Sequence, residues 1–489
     1  MGVGECADVE PVLDRYSGAA TGDGAMRLGR RGFLLGAALL PLAARAEGLA
    51  MRPLPRPVPG SAAIIGRAGL AGVVEYAVLD SASGEILDSS GQQGALPPAS
   101  TLKSLTAIYA LDRLGAQHRF RTRVIRAGDM LVLAGGGDPH LDTDGLDALA
   151  ADLVAAGGRS PARFAVWGGA LPRSGQIAIG QAAHLPYNPA LSGMILNFNR
   201  VHLGWRRNGA RYDMQVQARA ARQSPRAYTI RAEAADQQPV FSYLGEGPPE
   251  RWRVSRAALG GQGSRWLPVR LPELYAGDVF QTLCRARGLV LPAPEVIDDL
   301  PAGNEVAGLD SAPLVGIVRD MLRFSTNITA EAIGLAASGA GSLETSGAAM
   351  AEWLRGQGVV GDLRFADHSG LSDASRISPL TMARALTGPG LRLGLADLLR
   401  DRPFADDLGR EGDLPAPIRA KTGTLNFISN LAGYADVPQR GRVVFSIACA
   451  DPARRAGAAG REQVPGVATW TRAAKRLQHD LIAGWMARL

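Results

Sequence analysis

Three short stretches of this chain carry side chains that could pass a proton among themselves: Ser100-Thr101-Leu102-Lys103, Ser325-Thr326-Asn327 and Lys421-Thr422-Gly423-Thr424. Of the 53 Lys and Arg residues only three are lysines, and two of those three lie in these stretches. Where positive charge alone is wanted the chain uses Arg. A retained lysine therefore marks a place for a compact amine that can give up its proton, which a guanidinium cannot do. Lys475, in a basic stretch near the C-terminus, has no such company.

A serine at a helix start with a lysine three residues on presents both side chains on one face, within reach of each other. The positive end of the helix, a neighbouring cation and burial each lower a lysine's pKa, so Lys103 can serve as a base toward the Ser100 hydroxyl. The elements needed to hold this pair are legible nearby. Leu96-Pro97-Pro98-Ala99 leads into Ser100, and Leu102, Leu105, Ile108, Leu111 and Leu114 recur at helical spacing before Gly115 ends the run. Upstream, Val73 to Asp80 and Glu85 to Asp88 flank Ser81-Ala82-Ser83-Gly84 as a hairpin. Ser325-Thr326-Asn327 falls between two helical segments, Pro313 to Phe324 and Thr329 to Ala337. Lys421-Thr422-Gly423 precedes two apolar strand candidates, Asn430 to Ala435 and Arg442 to Ala450, and a C-terminal helix from about Thr469 to Arg488.

Residues 118–266 have another texture, with a Gly-rich turn at Gly135-Gly136-Gly137, a helix-like stretch from Leu146 to Ala156 and strand-like pieces at Asn197 to Trp205 and Tyr212 to Ala218. They read as an inserted domain, with 47–117 and 267–489 forming the catalytic domain. The triple glycine lacks the surroundings of a phosphate-binding loop. Composition, 46% hydrophobic and 20% charged, is that of an ordinary globular chain. The net charge of +7 is spread over scattered arginines without aromatic interleaving, which excludes a dedicated nucleic-acid binder and is compatible with peripheral membrane or cell-wall association.

Arg30-Arg31 before the apolar run Gly32 to Ala44, closed by Ala44-Arg45-Ala46, reads as a cleavable export signal over residues 1–46. The paired arginines favour twin-arginine export, with general secretion as the alternative, and either implies a periplasmic protein. The acidic leader makes Met26 the expected start. Cys284 and Cys449 remain in the mature chain, too few for a disulfide framework and without metal-site spacing. No cofactor or metal is expected.

Taken in order, the three stretches resemble the Ser-x-x-Lys, Ser-x-Asn and Lys-Thr-Gly elements of penicillin-binding proteins and serine β-lactamases. The 225 positions between Ser100 and Ser325 exceed what a compact β-lactamase holds. The chain is similar to low-molecular-mass penicillin-binding proteins of the D-alanyl-D-alanine carboxypeptidase and endopeptidase type, peptidase family S13. The likeness extends to Pro98-Ala99, Gly136-Gly137-Asp138-Pro139, Leu196-Asn197-Phe198-Asn199, Ala330-Glu331, Ser369-Gly370-Leu371-Ser372 and Leu431-Ala432-Gly433-Tyr434. It implies an α+β fold of the transpeptidase type, an antiparallel sheet flanked by helices, with a large insert between the first two motifs.

The same resemblance implies a chemistry on peptidoglycan stem peptides, with β-lactam antibiotics as inhibitors. Ser100 would attack the peptide carbonyl, Lys103 would take its proton, and Ser325 would pass a proton to the leaving amine. Asn327 would hold Lys103 and the substrate amide. Lys421 would face the substrate carboxylate with Thr422 and Thr424, while the N–H groups of Ser100 and Thr424 would form the oxyanion hole and Gly423 would keep the serine uncrowded. Two residues depart from the pattern. His368 stands in place of a glycine and Thr326 in place of Asp or a similar polar residue, and both are expected to bear on substrate fit.

Rival readings lack parts. Asp367-His368-Ser369 are adjacent, but there is no Gly-x-Ser-x-Gly elbow for a Ser-His-Asp hydrolase and no His-Glu-x-x-His for a metal hydrolase. A serine β-lactamase-like hydrolase shares the motifs, yet the Glu-x-x-Leu-Asn of class A is absent. A cell-wall scaffold or sensor that binds penicillin without turnover would carry the same fold and differ only in turnover.

Overall fold

Alternation of side chains along the strands decides how the central sheet is covered. In Val73–Asp80, Ala77 and Leu79 face one hydrophobic core while Tyr76 and Val78 face another. The same split recurs in Ile428–Val437, where Ala432 and Tyr434 oppose Leu431 and Ala435. A strand whose two faces are both apolar must be covered on both sides. The computed structural model, which describes residues 58–90, 94–245, 247–462 and 464–489, accordingly has helices on each face. The export segment and most of the Pro-rich stretch after it lie outside the described residues.

The sheet has six strands in the order Arg400–Asp401, Ile418–Leu425, Ile428–Val437, Gly441–Ala450, Val73–Asp80 and Ile86–Ser89, all antiparallel. The C-terminal helix Val467–Arg488 covers one face through Trp470, Leu477, Leu481 and Trp485. Helices Leu102–Leu114, Leu314–Phe324, Asn327–Ser338 and Leu343–Gly356 share the core of the other. Cys449 is a buried strand residue. Among the described residues no helix is long and apolar enough to cross a membrane.

A second body has its own core. Its largest sheet runs Pro294–Ile297, Arg163–Trp167, Met130–Ala134, Arg121–Ala127 and Asn304–Asp310, joined by two three-stranded sheets built from Arg200–Asn208, Arg211–Gln217 and Gln262–Pro268 and from Ile230–Ala235, Phe241–Tyr243 and Glu250–Ser255. The boundary expected at residue 267 moves. Helix Pro272–Ala286 buries Tyr275, Val279, Phe280 and Leu283 in this second core, and Asn304–Asp310 pairs with Arg121–Ala127. The segment that packs as the insert therefore runs to Asp310. In the triple-glycine turn, the Gly135 and Gly137 N–H groups donate to the Trp167 and Gly193 carbonyls, so these donors are committed to the fold.

Phe280 is wholly buried against Phe164, their ring centroids 6.0 Å apart. Phe280→Ala is expected to cost about 3–5 kcal/mol. Hydrogen exchange should rise across residues 121–167 and leave residues 418–450 protected. Loss of protection confined to the six-stranded sheet would return the helix to the catalytic body.

Candidate active site

Ser100 sits in a single 3-10 turn, Ala99–Thr101, that runs straight into helix Leu102–Leu114. The first ten residues of that helix are all buried, so Lys103 enters the interior with no exposed surface at all. The turn is held tightly. Thr101 Oγ1 donates to the Pro98 carbonyl at 2.7 Å, and Asn430 Nδ2 donates to the Pro97 carbonyl at 2.8 Å. Ala99 has φ of 46°, left-handed backbone that costs an alanine about 1–3 kcal/mol and persists only where the surroundings impose it. Gly370 supplies part of that constraint, since a Cβ there would lie 1.9 Å from the Ala99 carbonyl oxygen.

Lys103 Nζ has three partners: Ser100 Oγ at 2.8 Å, Asn327 Oδ1 at 2.7 Å and the Ser369 carbonyl at 2.9 Å. Burial pushes this amine down to about 7, against the opposing pull of the Glu331 and Asp367 carboxyls. Asn327 opens helix Asn327–Ser338, directly after Ser325, which ends the preceding helix in left-handed geometry with φ of 59°. Its other amide group donates to the Tyr187 carbonyl of the insert at 3.0 Å. Lys421 Nζ donates to Ser325 Oγ at 2.9 Å and to the Thr422 carbonyl at 2.8 Å. Burial, then the nearby Lys103, hold Lys421 well below the ordinary lysine range.

Lys421 and Gly423 are two apart on strand Ile418–Leu425 and so share a face. A Cβ at Gly423 would lie 2.9 Å from the Pro98 carbonyl oxygen, 2.9 Å from Thr101 N and 3.0 Å from Ser100 N. Only glycine lets strand and serine turn come this close. The neighbouring strand Arg400–Asp401 pairs only with Arg419 and Ala420, so the edge from Lys421 to Leu425 has no strand beside it among the described residues. It borders a cleft of about 380 Å³ lined by Ser100, Ser325, Asn327 and Thr424, with Gln181 and Tyr187 contributed by the insert. The eight candidate site residues of the three stretches thus lie together: Ser100, Ser325, Asn327 and Thr424 line the cleft, Lys103, Lys421 and Gly423 adjoin them, and Thr422 is joined through its carbonyl to Lys421.

Several partners at the site were not foreseen. The Ser369 and Tyr187 carbonyls are backbone groups with no residue signature. Glu331 and Asp367 stand 36 positions apart, each fully buried; both were named in the sequence, in Ala330-Glu331 and Asp367-His368-Ser369, but without a role beside Lys103. Burial pushes both carboxyls up, and the neighbouring Asp367 adds to the effect at Glu331.

The two departures do not touch the cleft. His368 is wholly buried, its Nε2 2.6 Å from Ser346 Oγ and its ring parallel to Tyr109; burial pushes it down to about 3, so it is neutral. Gly334 makes the room, because a Cβ there would lie 2.3 Å from the imidazole. Thr326 lines a separate cavity of about 630 Å³ between the two bodies, beside Asp138, Phe198 and Asp320. Neither residue lines the cleft itself. Ser369 Oγ and Asp367 are also buried, which leaves no exposed Ser-His-Asp set. Among the described residues no group of His, Cys, Asp and Glu could hold a metal ion.

Comparison with known proteins follows the same lines. A sequence model of the D-Ala-D-Ala carboxypeptidase 3 (S13) family matches residues 69–473. A D-alanyl-D-alanine carboxypeptidase of Actinomadura sp. (strain R39) is 28% identical over 429 residues, 76% of each chain. A carboxypeptidase of Mycobacterium tuberculosis is 28% identical over 417 residues, covering 80% of this chain and 78% of its own. The crystal structure of penicillin binding protein 4 from Haemophilus influenzae superposes with a TM-score of 0.71 at 19% identity, over 86% of this chain and 98% of that one. That likeness establishes the fold.

The approach of Gly423 to the serine turn makes a specific demand. Gly423→Ala must part the strand from the backbone of residues 98–101, and a displacement near 1 Å at a reacting centre can cost about 10²-fold in rate. Labelling of the protein by a fluorescent penicillin should fall by about that factor with little change in thermal midpoint. An unchanged labelling rate would show that the contact is not needed for reactivity.

Proposed function

The chain belongs to the D-Ala-D-Ala carboxypeptidase 3 (S13) family, and from that premise we propose that it cleaves peptidoglycan stem peptides through an acyl-enzyme on Ser100. It is a penicillin-binding serine carboxypeptidase in class. The observation that carries the assignment of roles is the surroundings of Lys103 Nζ. As a neutral amine it has two N–H bonds for two pure acceptors, Asn327 Oδ1 and the Ser369 carbonyl, and one lone pair left for the Ser100 hydroxyl.

The steps balance as follows. Ser100 Oγ attacks the carbonyl carbon of the penultimate residue while its proton passes to Lys103 Nζ. The oxyanion is received by the N–H groups of Ser100 and Thr424. The proton held by Lys103 passes through the Ser325 hydroxyl to the leaving nitrogen, which restores the free amine; the C–N bond breaks, and D-alanine departs. Water then attacks the ester, its proton returns through the same amine, and the shortened peptide leaves with a new carboxylate. The open strand edge from Lys421 to Leu425 supports a substrate laid alongside it as an added strand. Lys421, with Thr422 and Thr424, meets the terminal carboxylate, and Gly423 keeps the serine accessible.

Action on cross-linked peptides, as an endopeptidase, is part of the same proposal. The insert contributes Gln181 and Tyr187 to the cleft and supports a role in bounding the substrate. Delivery to the periplasm rests on the leader read from the sequence. β-Lactams would acylate Ser100 by the same first step.

Penicillin treatment followed by peptide mapping should place the adduct on the peptide containing Ser100; an adduct on Ser325 or Ser369 would sink the assignment. The base must be unprotonated, so acylation should rise about tenfold per pH unit below about 7 and level off above it. Lys103→Arg, which cannot release its proton, should slow acylation by at least about 10²-fold. Lys421→Arg should be the milder change. The reverse ranking in two equally folded variants would overturn the roles given to the two lysines.

A further inference from the structure

The third acceptor on Lys103, the Ser369 carbonyl, belongs to a loop with its own buried support. Glu331 reaches from helix Asn327–Ser338 so that Oε2 accepts the His368 N–H at 2.9 Å and Oε1 the Ser369 N–H at 2.9 Å. Asp367 Oδ2 accepts the Ser372 N–H at 2.7 Å and Oδ1 the Ser375 hydroxyl at 2.7 Å. On the far side Thr106 Oγ1, from the helix that carries Lys103, donates to the His368 carbonyl at 2.7 Å. Two consecutive N–H groups gripped by one carboxylate fix the plane of the peptide that follows, and with it the direction of the Ser369 carbonyl.

We propose that Glu331 is a positioning residue for the acylation step, holding the Ser369 carbonyl against the Lys103 amine through the His368 and Ser369 N–H groups and setting the charge that this amine faces. The proposal rests on Lys103 as the base. Groups facing Lys103 come from three elements: Glu331 on its helix, Asp367 on the loop and Lys421 on the strand; His368, buried behind the loop, is neutral. Both carboxyls favour the charged amine and oppose burial; Glu331 is itself pushed up to about 8, so its replacement by an amide removes only its ionised fraction and makes Lys103 a free base at modestly lower pH. A residue that only filled space would slow the reaction, if at all, without moving its pH dependence.

Glu331→Gln tests both parts. An amide has one acceptor oxygen for two N–H groups, and its own NH₂ would confront one of them. Acylation by a chromogenic β-lactam, followed from pH 5 to 9 on protein checked by thermal melting, should slow by at least about tenfold at its plateau, while the acid limb moves down by less than about 1 pH unit. Glu331→Asp keeps the charge and shortens the reach, so its plateau should fall with the limb in place. A wild-type plateau and an unmoved limb in Glu331→Gln would overturn the proposal. If that variant does not fold, Glu331→Asp decides alone, and a wild-type rate there overturns it. Lys103→Arg run alongside separates the two readings: should it acylate at the wild-type rate, the base assignment fails; should it be slow while Glu331→Gln is normal, only the role of Glu331 fails.

Discussion

An amine removed from water loses solvation that only well-placed acceptors and opposite charge can restore. Lys103 has no exposed surface, and the rest of the site can be derived from meeting its needs. Three oxygens surround Nζ, drawn from the serine turn, the Asn327 helix and the loop ending at Ser369. None of these elements is near another in sequence, so the amine acts as the pin where they meet. Its surroundings also decide its chemistry: the two carboxylates beneath it favour the ammonium, burial favours the free amine, and the balance near neutrality leaves a base usable at ordinary pH.

The same pin explains why the insert cannot be regarded as a detached appendage. Asn327 spends its oxygen on Lys103 and one N–H on the Tyr187 carbonyl, so a single amide joins the base to the second body. At the far end of the cleft, Glu462 of the catalytic body accepts from Arg265 Nη2 at 2.7 Å and lies 2.9 Å from His184 Nε2, both in the insert. These polar contacts flank an apolar seam in which Leu171, Ile177, Leu191 and Ile195 of the insert pack with Ile328, Ala332, Leu335 and Leu371, while each body also keeps its own core. The cleft is thus walled by two bodies, each with its own core, joined by a buried apolar seam and by directional bonds.

Much of this was legible in the sequence because proton-transfer chemistry needs particular side chains. Lys103 and Lys421 stood out in a chain that otherwise uses arginine, and the sheet strands declared themselves through runs apolar on both faces. The boundary at 267 failed for a physical reason. Helix Pro272–Ala286 is amphipathic in a way that suits either core, and nothing local says that Phe280 will meet Phe164 rather than the catalytic sheet. His368 misled in the opposite direction. Its neighbours Asp367 and Ser369 gave it a place in a loop but not its surroundings, whereas Gly334 and Ser346, remote in sequence, make a buried place for a neutral ring. Contacts made by backbone carbonyls, such as those of Ser369 and Tyr187, leave no trace in residue type.

The two lysines raise a further point about how charge is divided. Lys421 is buried, and the charge of Lys103 pushes it down in turn, so two ammonium groups side by side are disfavoured. In the proposed reaction a carboxylate bound at Lys421 favours its ammonium, and the pair so formed adds little net charge beside Lys103, so the C-terminus of a substrate is recognised without raising or lowering the pKa of the amine proposed to take the proton.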